Sequence, residues 1–133
     1  MFAACALGVL CVIALTVGFL RHRNYAPAQD PPAPGAEAGV ALITLDPEAF
    51  AGEARETYRI ARKDPALLAK LYCYCHCDVR LGHRNLLDCY RDSHASECGI
   101  CMGEARDAEQ MAKQGSSIQE IRDSLRSRYQ GQE

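Results

Sequence analysis

The chain has 133 residues, a net charge of −2 and a sequence pI near 6.1, which leaves room for one small domain plus accessories. Acidic and basic side chains are interspersed and no basic stripe runs through them, so a nucleic-acid partner is excluded on electrostatic grounds. Eight cysteines and no tryptophan indicate a small core that needs a cross-link or a metal to hold it.

The N-terminal segment is a separate object. Residues 2–20 carry no charged side chain and stop at Arg21-His22-Arg23. As a helix they would be about 28 Å long, close to the thickness of a bilayer core. A cleaved signal peptide carries its positive charge ahead of a shorter apolar run. The pattern here predicts a retained transmembrane helix, with residues 1–23 as the membrane anchor. Cys5 and Cys11 read as small apolar residues facing lipid, and Leu10 is not the small residue expected before a lipidated cysteine. Arg21 and Arg23 favour a cytoplasmic C-terminal side, whereas the tail after them resembles an exported tether. That tail, residues 24–45, holds Pro27, Pro31, Pro32 and Pro34 among many alanines and predicts a semi-extended linker. Its last six residues are apolar enough for a strand or a packing segment.

Residues 46–133 carry helical signals. Asp46-Pro47 is an N-cap followed by a proline suited to the first helical turn. Phe50, Ala54, Tyr58 and Ala61 then share one face of a helix ending near Lys63. Asp64-Pro65 repeats the start signal, and residues 65–72 predict a short helix with Leu67, Leu68 and Leu71 on its apolar side. Residues 73–82 predict an irregular or extended loop, and residues 83–91 a short helix. A longer helix starts at Glu97, with Cys98, Cys101, Ala105, Ala108 and Ala112 as a seam of small residues. Gly115 ends it. Ser117 and Glu120 form a capping box for a last helix buried through Ile118, Ile121, Leu125 and Tyr129. The expected fold class is all-α, with a cysteine-rich loop and no internal repeat.

The chemistry lies in that loop and its surroundings. Cys73, Cys75, Cys77, Cys89, Cys98 and Cys101 are six of the eight cysteines, with His76, His83 and His94 among them. Thiolates are soft donors that select Cu(I), Zn(II) or iron–sulfur clusters, and imidazole suits zinc and copper. If residues 73–77 are extended, the three alternating sulfurs face one side about 6.5–7 Å apart. Thiols so placed converge on a shared site but cannot bridge one another, because a disulfide wants Cα atoms about 5.5 Å apart. Three partners remain at Cys89, Cys98 and Cys101, so three disulfides are an equally open reading. Cys98-Gly-Ile-Cys101 opens a helix, where the dipole favours thiolate; that is half of a metal site or a redox pair. Met102 follows, so the haem-attachment pattern is absent. Catalysis would need one activated cysteine and an orienting third group. Six thiols without such a group predict a protein that is not an enzyme.

Tyr72-Cys73-Tyr74-Cys75-His76-Cys77 resembles the signature of the bacterial PCYCGC-motif proteins, with Tyr72 in place of proline and His76 in place of glycine. The resemblance runs through His83, Leu86-Leu87-Asp88-Cys89-Tyr90, His94 and Cys98-Gly99-Ile100-Cys101. It continues through Ala108, Met111, Gly115-Ser116 and Glu120-Ile121-Arg122 to Tyr129, so it covers about residues 64–130. It implies a membrane-anchored protein, single-pass or, as is usual for such proteins, a lipid-anchored exported lipoprotein, with a small extracytoplasmic C-terminal domain, and it supplies no reaction. His76 adds a candidate ligand that such relatives lack.

The expectation is therefore a membrane-tethered domain that binds copper(I) or zinc. Its ligand pool is the six cysteines, with His76, His83 and His94 as auxiliary ligands, and its partner is a metal-donor or metal-acceptor protein. The alternatives are a disulfide-stabilised interaction module and a thiol-redox protein using Cys98 and Cys101.

Overall fold

The computed structural model describes residues 43–132. The membrane anchor expected over residues 1–23 and most of the linker lie outside the described residues. Among the described residues no helix is long and apolar enough to cross a membrane. They contain five α-helices, three 3₁₀ turns and no strand.

Asp46 accepts a hydrogen bond from the Glu48 N–H at 3.1 Å and opens a 3₁₀ turn, Pro47–Ala49. The single helix expected from Pro47 to Lys63 is broken here. Phe50 and Ala51 are extended, Gly52 takes a left-handed φ of 57°, and helix α1 runs Gly52–Lys63. The break has a packing cause. Residues 50 and 58 of one straight helix would stand about 12 Å apart along its axis. Folded back, the Phe50 ring stacks on Tyr58 with centroids 3.9 Å apart. Glycine adopts the required turn without a Cβ penalty.

Asp64 caps helix α2, Pro65–Leu68, by accepting from the Leu67 N–H at 3.0 Å. The helix expected to reach residue 72 stops at Leu68. The chain then turns so that the Leu71 carbonyl accepts from the Leu86 N–H at 2.8 Å. Leu68, Leu71 and Leu86 are all fully buried. Helix α3, Cys77–Leu81, falls where an extended loop was expected. The helix expected over residues 83–91 is a 3₁₀ turn, Leu86–Tyr90, capped by the Asn85 side chain. Asp88 in that turn is held by Arg84 at 2.9 Å and Arg91 at 3.3 Å. The Leu45 N–H donates to the Tyr90 carbonyl at 2.9 Å, so the end of the expected linker is packed onto the domain and forms no strand.

A further 3₁₀ turn, His94–Glu97, delivers the chain to helix α4, Gly99–Lys113, with Cys98 as its N-cap. Glu97 belongs to the turn, which moves the helix start two residues beyond the one expected. Helix α5, Ile118–Tyr129, begins on the expected capping box, with both reciprocal bonds between Ser117 and Glu120 present. The small-residue seam lets α4 pack closely: Cys101, Ala105 and Ala108 are fully buried, and α1 and α5 lie against this helix. At Gly103 an added Cβ would stand 2.6 Å from the Tyr129 hydroxyl oxygen, so glycine sets the approach of α5. Two tyrosines then fix the start of α4. Tyr90 donates to the Cys101 carbonyl at 2.9 Å, and Tyr58 packs edge-on against the Tyr90 ring.

Candidate metal centre

All six described cysteines are free thiols, and the fold brings them together. The extended geometry expected for residues 73–77 is not the one observed. The chain turns at Tyr74 and Cys75, His76 is left-handed at φ 57° and ψ 28°, and Cys77 opens α3. Instead of lying 6.5–7 Å apart, the Cys73 and Cys75 sulfurs are 3.4 Å apart. Cys101 closes a triangle with them at 3.4 Å and 3.5 Å. Cys77 and Cys89 form a second pair at 3.4 Å, and the His94 Nε2 lies 3.3 Å from the Cys75 sulfur. One tetrahedral zinc ion with bonds of about 2.3 Å sets its sulfurs about 3.8 Å apart. The thiols stand close to that spacing.

Four overlapping sets place all their donor atoms within 4.8 Å of one another: Cys75, His94, Cys98 and Cys101; Cys77, His83, Cys89 and His94; Cys73, Cys89 and Cys101; and Cys73, Cys75 and Cys77. All six cysteines, His83 and His94 therefore take part. His76 belongs to none of these sets.

The electrostatics of the cluster follow from crowding. The Cys101 and Cys73 thiols donate to Cys75 and hold it well below the ordinary thiol range. Cys73, Cys77 and Cys89 are pushed up by hydrogen bonds to neighbouring thiols, with burial adding to the rise. The helix dipole that favours thiolate at Cys101 is opposed by the neighbours of that thiol. Its bond with Cys73 acts to lower it, but its bond with Cys75 and its burial prevail, and it is raised to about 11. Contiguous thiols cannot all ionise in the absence of a cation, because each new negative charge raises the cost of the next. A metal ion, if bound, would supply that cation.

Two acidic residues escape detection in the sequence. Asp92 orients the His83 imidazole and anchors the backbone of His94: its Oδ2 pairs with His83 Nε2 at 3.0 Å, and its Oδ1 accepts from the His94 backbone N–H at 2.8 Å. Tyr58 holds the same residue by donating to its carbonyl at 2.6 Å. A carboxylate–histidine pair of this kind fixes the tautomer that leaves the other ring nitrogen free to ligate. His83 Nδ1 is that other nitrogen, and it is buried with no hydrogen-bond partner. Glu104 lies three residues beyond Cys101 on the same helix and is fully buried. Its Oε1 accepts from the Tyr74 N–H at 2.8 Å, which pins the turn between Cys73 and Cys75. The spacing of Glu104 from Cys101 is a helical i, i+3 signal that was there to be read. The contact of Asp92 with His83, nine residues away, has no such local signal.

Asp92→Asn is expected to weaken metal binding by about 10- to 100-fold, the usual effect of losing such a carboxylate, with little change in the far-UV circular dichroism. Competition with a chromogenic chelator measures this directly.

A helical scaffold that gathers thiols and imidazoles around one centre defines the class: a small Cys/His-clustered domain. The model of the family described as "Protein of unknown function with PCYCGC motif" matches residues 37–132, and the chain belongs to that family. No curated protein and no solved structure matches the chain.

The family motif puts glycine where this chain has His76, and the structure gives a backbone reason. The left-handed φ of 57° at this residue suits glycine and costs other residues about 1–2 kcal/mol. His76→Gly is expected to leave metal stoichiometry unchanged and to raise the unfolding midpoint slightly, by up to about 1 kcal/mol of stability. A fall in bound metal on elemental analysis would instead make His76 a ligand.

Proposed function

We propose that this domain binds a soft metal ion, Cu(I) or Zn(II), through its clustered thiols and imidazoles. The role is capture, storage or hand-over of that ion at a membrane, with the N-terminal segment as anchor and the domain on the extracytoplasmic side. A metal-donor or metal-acceptor protein is the partner this implies. Six clustered cysteines favour a binder over an enzyme, which needs one activated thiol rather than a shared set; the single cysteine–imidazole pair, Cys75 and His94 at 3.3 Å, belongs to that set.

One observation carries this reading. His83 Nδ1 is buried without a hydrogen-bond partner, a ring nitrogen of His83 lies within 4.8 Å of the donor atoms of Cys77, Cys89 and His94, and Asp92 holds Nε2. Buried polar atoms are nearly always satisfied, and a metal ion would satisfy this one. A disulfide scaffold has no use for an imidazole nitrogen at that place.

The test is a thiol count on the full chain, purified anaerobically. Metal binding predicts thiols that are masked at first and become reactive when a chelator is added without reductant. Thiols that appear only after reduction would replace this reading with the disulfide module. A single labile pair at Cys98 and Cys101 would favour the redox reading.

A further inference from the structure

Six thiols and two imidazoles are eight donors, enough for two four-coordinate ions with no ligand shared. Resting on the metal reading above, we infer that the cluster holds two unequal ions: an inner structural one, and an outer one that exchanges through a cavity in the surface.

Six of the eight donors also divide by burial; the exceptions are Cys101, fully buried in the outer set, and His83, half-buried in the inner one. Cys75, Cys98, Cys101 and His94 form one set within 4.8 Å. Of these, Cys75, Cys98 and His94 are partly exposed, and all three line an open cavity of about 400 Å³. The remaining donors are Cys73, Cys77, Cys89 and His83. Cys73 lies within 4.8 Å of Cys77 and of Cys89, and His83 lies within the same distance of Cys77 and Cys89. Cys73, Cys77 and Cys89 are at most 3% exposed. Cys77 touches the cavity wall, but its 2% exposure leaves little for an incoming ligand to reach. The His83 side chain is 9% exposed and is tied down by Asp92. His94 stands within range of both sets, but a single ring nitrogen serves one ion. Its Nε2 lies 3.3 Å from Cys75, which assigns it to the outer set.

This division has a consequence for exchange. Metal leaves a thiolate site when an incoming donor enters its coordination shell and the displaced thiolates take up protons from water. The cavity admits such a donor to the outer ion, and its lining carries one charge of each sign, Arg80 and Glu97. The inner ion has no comparable access and instead ties α3 and the Leu86–Tyr90 turn together, since Cys77 belongs to the first and Cys89 to the second.

The experiment loads the full chain anaerobically with Zn(II) and follows release to excess 4-(2-pyridylazo)resorcinol. Two zinc ions per chain are expected, with one leaving at least about tenfold faster, in line with the hold that an oriented, supported ligand set confers. Cys98→Ser should abolish the fast phase and retain one slow ion. His83→Ala should speed the slow phase. Because that variant could fail to fold, cadmium NMR of the wild-type chain provides an independent readout: two resonances, of which a substoichiometric chelator removes one first. Release of both ions in one phase, or loss of both in Cys98→Ser, would overturn the two-ion division. So would a chain that takes up Cu(I) but no zinc, although the metal reading would then survive. A chain that binds neither ion sinks both.

Discussion

Cys73→Ser is expected to cost the protein its metal and its fold together. The Cys73 sulfur is central: it lies 3.4 Å from both Cys75 and Cys101 and within 4.8 Å of Cys77 and Cys89, and the residue is 3% exposed. Serine is nearly isosteric, so little packing is lost. In a metal-free domain the change would leave a buried hydroxyl, at about 1–3 kcal/mol. In a metal-bound domain it removes a soft donor from a site whose binding energy is folding energy, on the order of 10 kcal/mol for structural zinc. The expected result is a fall in metal stoichiometry with a parallel loss of the cooperative thermal transition. Metal content unchanged from wild type would contradict the cluster. A modest fall in stability without loss of metal would mark Cys73 as a packing residue.

The second large effect falls on Glu104. Burial pushes its carboxyl up to about 8 from 4.5, with Cys75 and Asp107 adding to the rise, against hydrogen bonds from Cys73 and the Tyr74 N–H. Its Oε2 has no partner. A carboxyl whose folded pKa is raised is protonated in the fold where the unfolded chain has already ionised. Its stability is therefore fully present below about 4.5 and is lost as pH rises through 8. Relative to Glu104→Gln at the same metal saturation, the protein should lose stability between pH 5 and 8, below the ordinary thiol range. At about 1.4 kcal/mol per pKa unit, the loss is on the order of a few kcal/mol. Glu104→Gln keeps the acceptor for Tyr74 and cannot ionise, so it should lack this loss and exceed wild type at pH 8. Denaturant melts at the two pH values decide this. A stability difference between wild type and Glu104→Gln that is the same at pH 5 and pH 8 would mean that Glu104 is ionised in the fold and charge-compensated.

What was legible in the sequence was local. The capping box at Ser117 and Glu120, the Asp64-Pro65 start and the seam of Cys101, Ala105 and Ala108 depend on residues three or four apart, and each stands where it was expected. The donor pool was legible too, because cysteine chemistry does not depend on the fold. The geometry of residues 73–77 was not. Alternation implies one face only if the chain is extended, and here the left-handed turn at His76 and the anchor from Glu104 fold it into a loop. His76 stands outside the donor groups that His83 and His94 join, which residue type alone cannot tell. Phe50 was assigned to the correct face and the wrong element, because its stacking on Tyr58 requires a broken helix. Asp92 was invisible, since a lone acid gains meaning only when the fold sets it beside His83.

The most direct measurement is elemental analysis of the full chain, purified anaerobically with no added metal. Near-stoichiometric copper or zinc is the predicted result, and it would also name the ion. A folded protein with no bound metal, which acquires none when offered Cu(I) or Zn(II), would contradict the account.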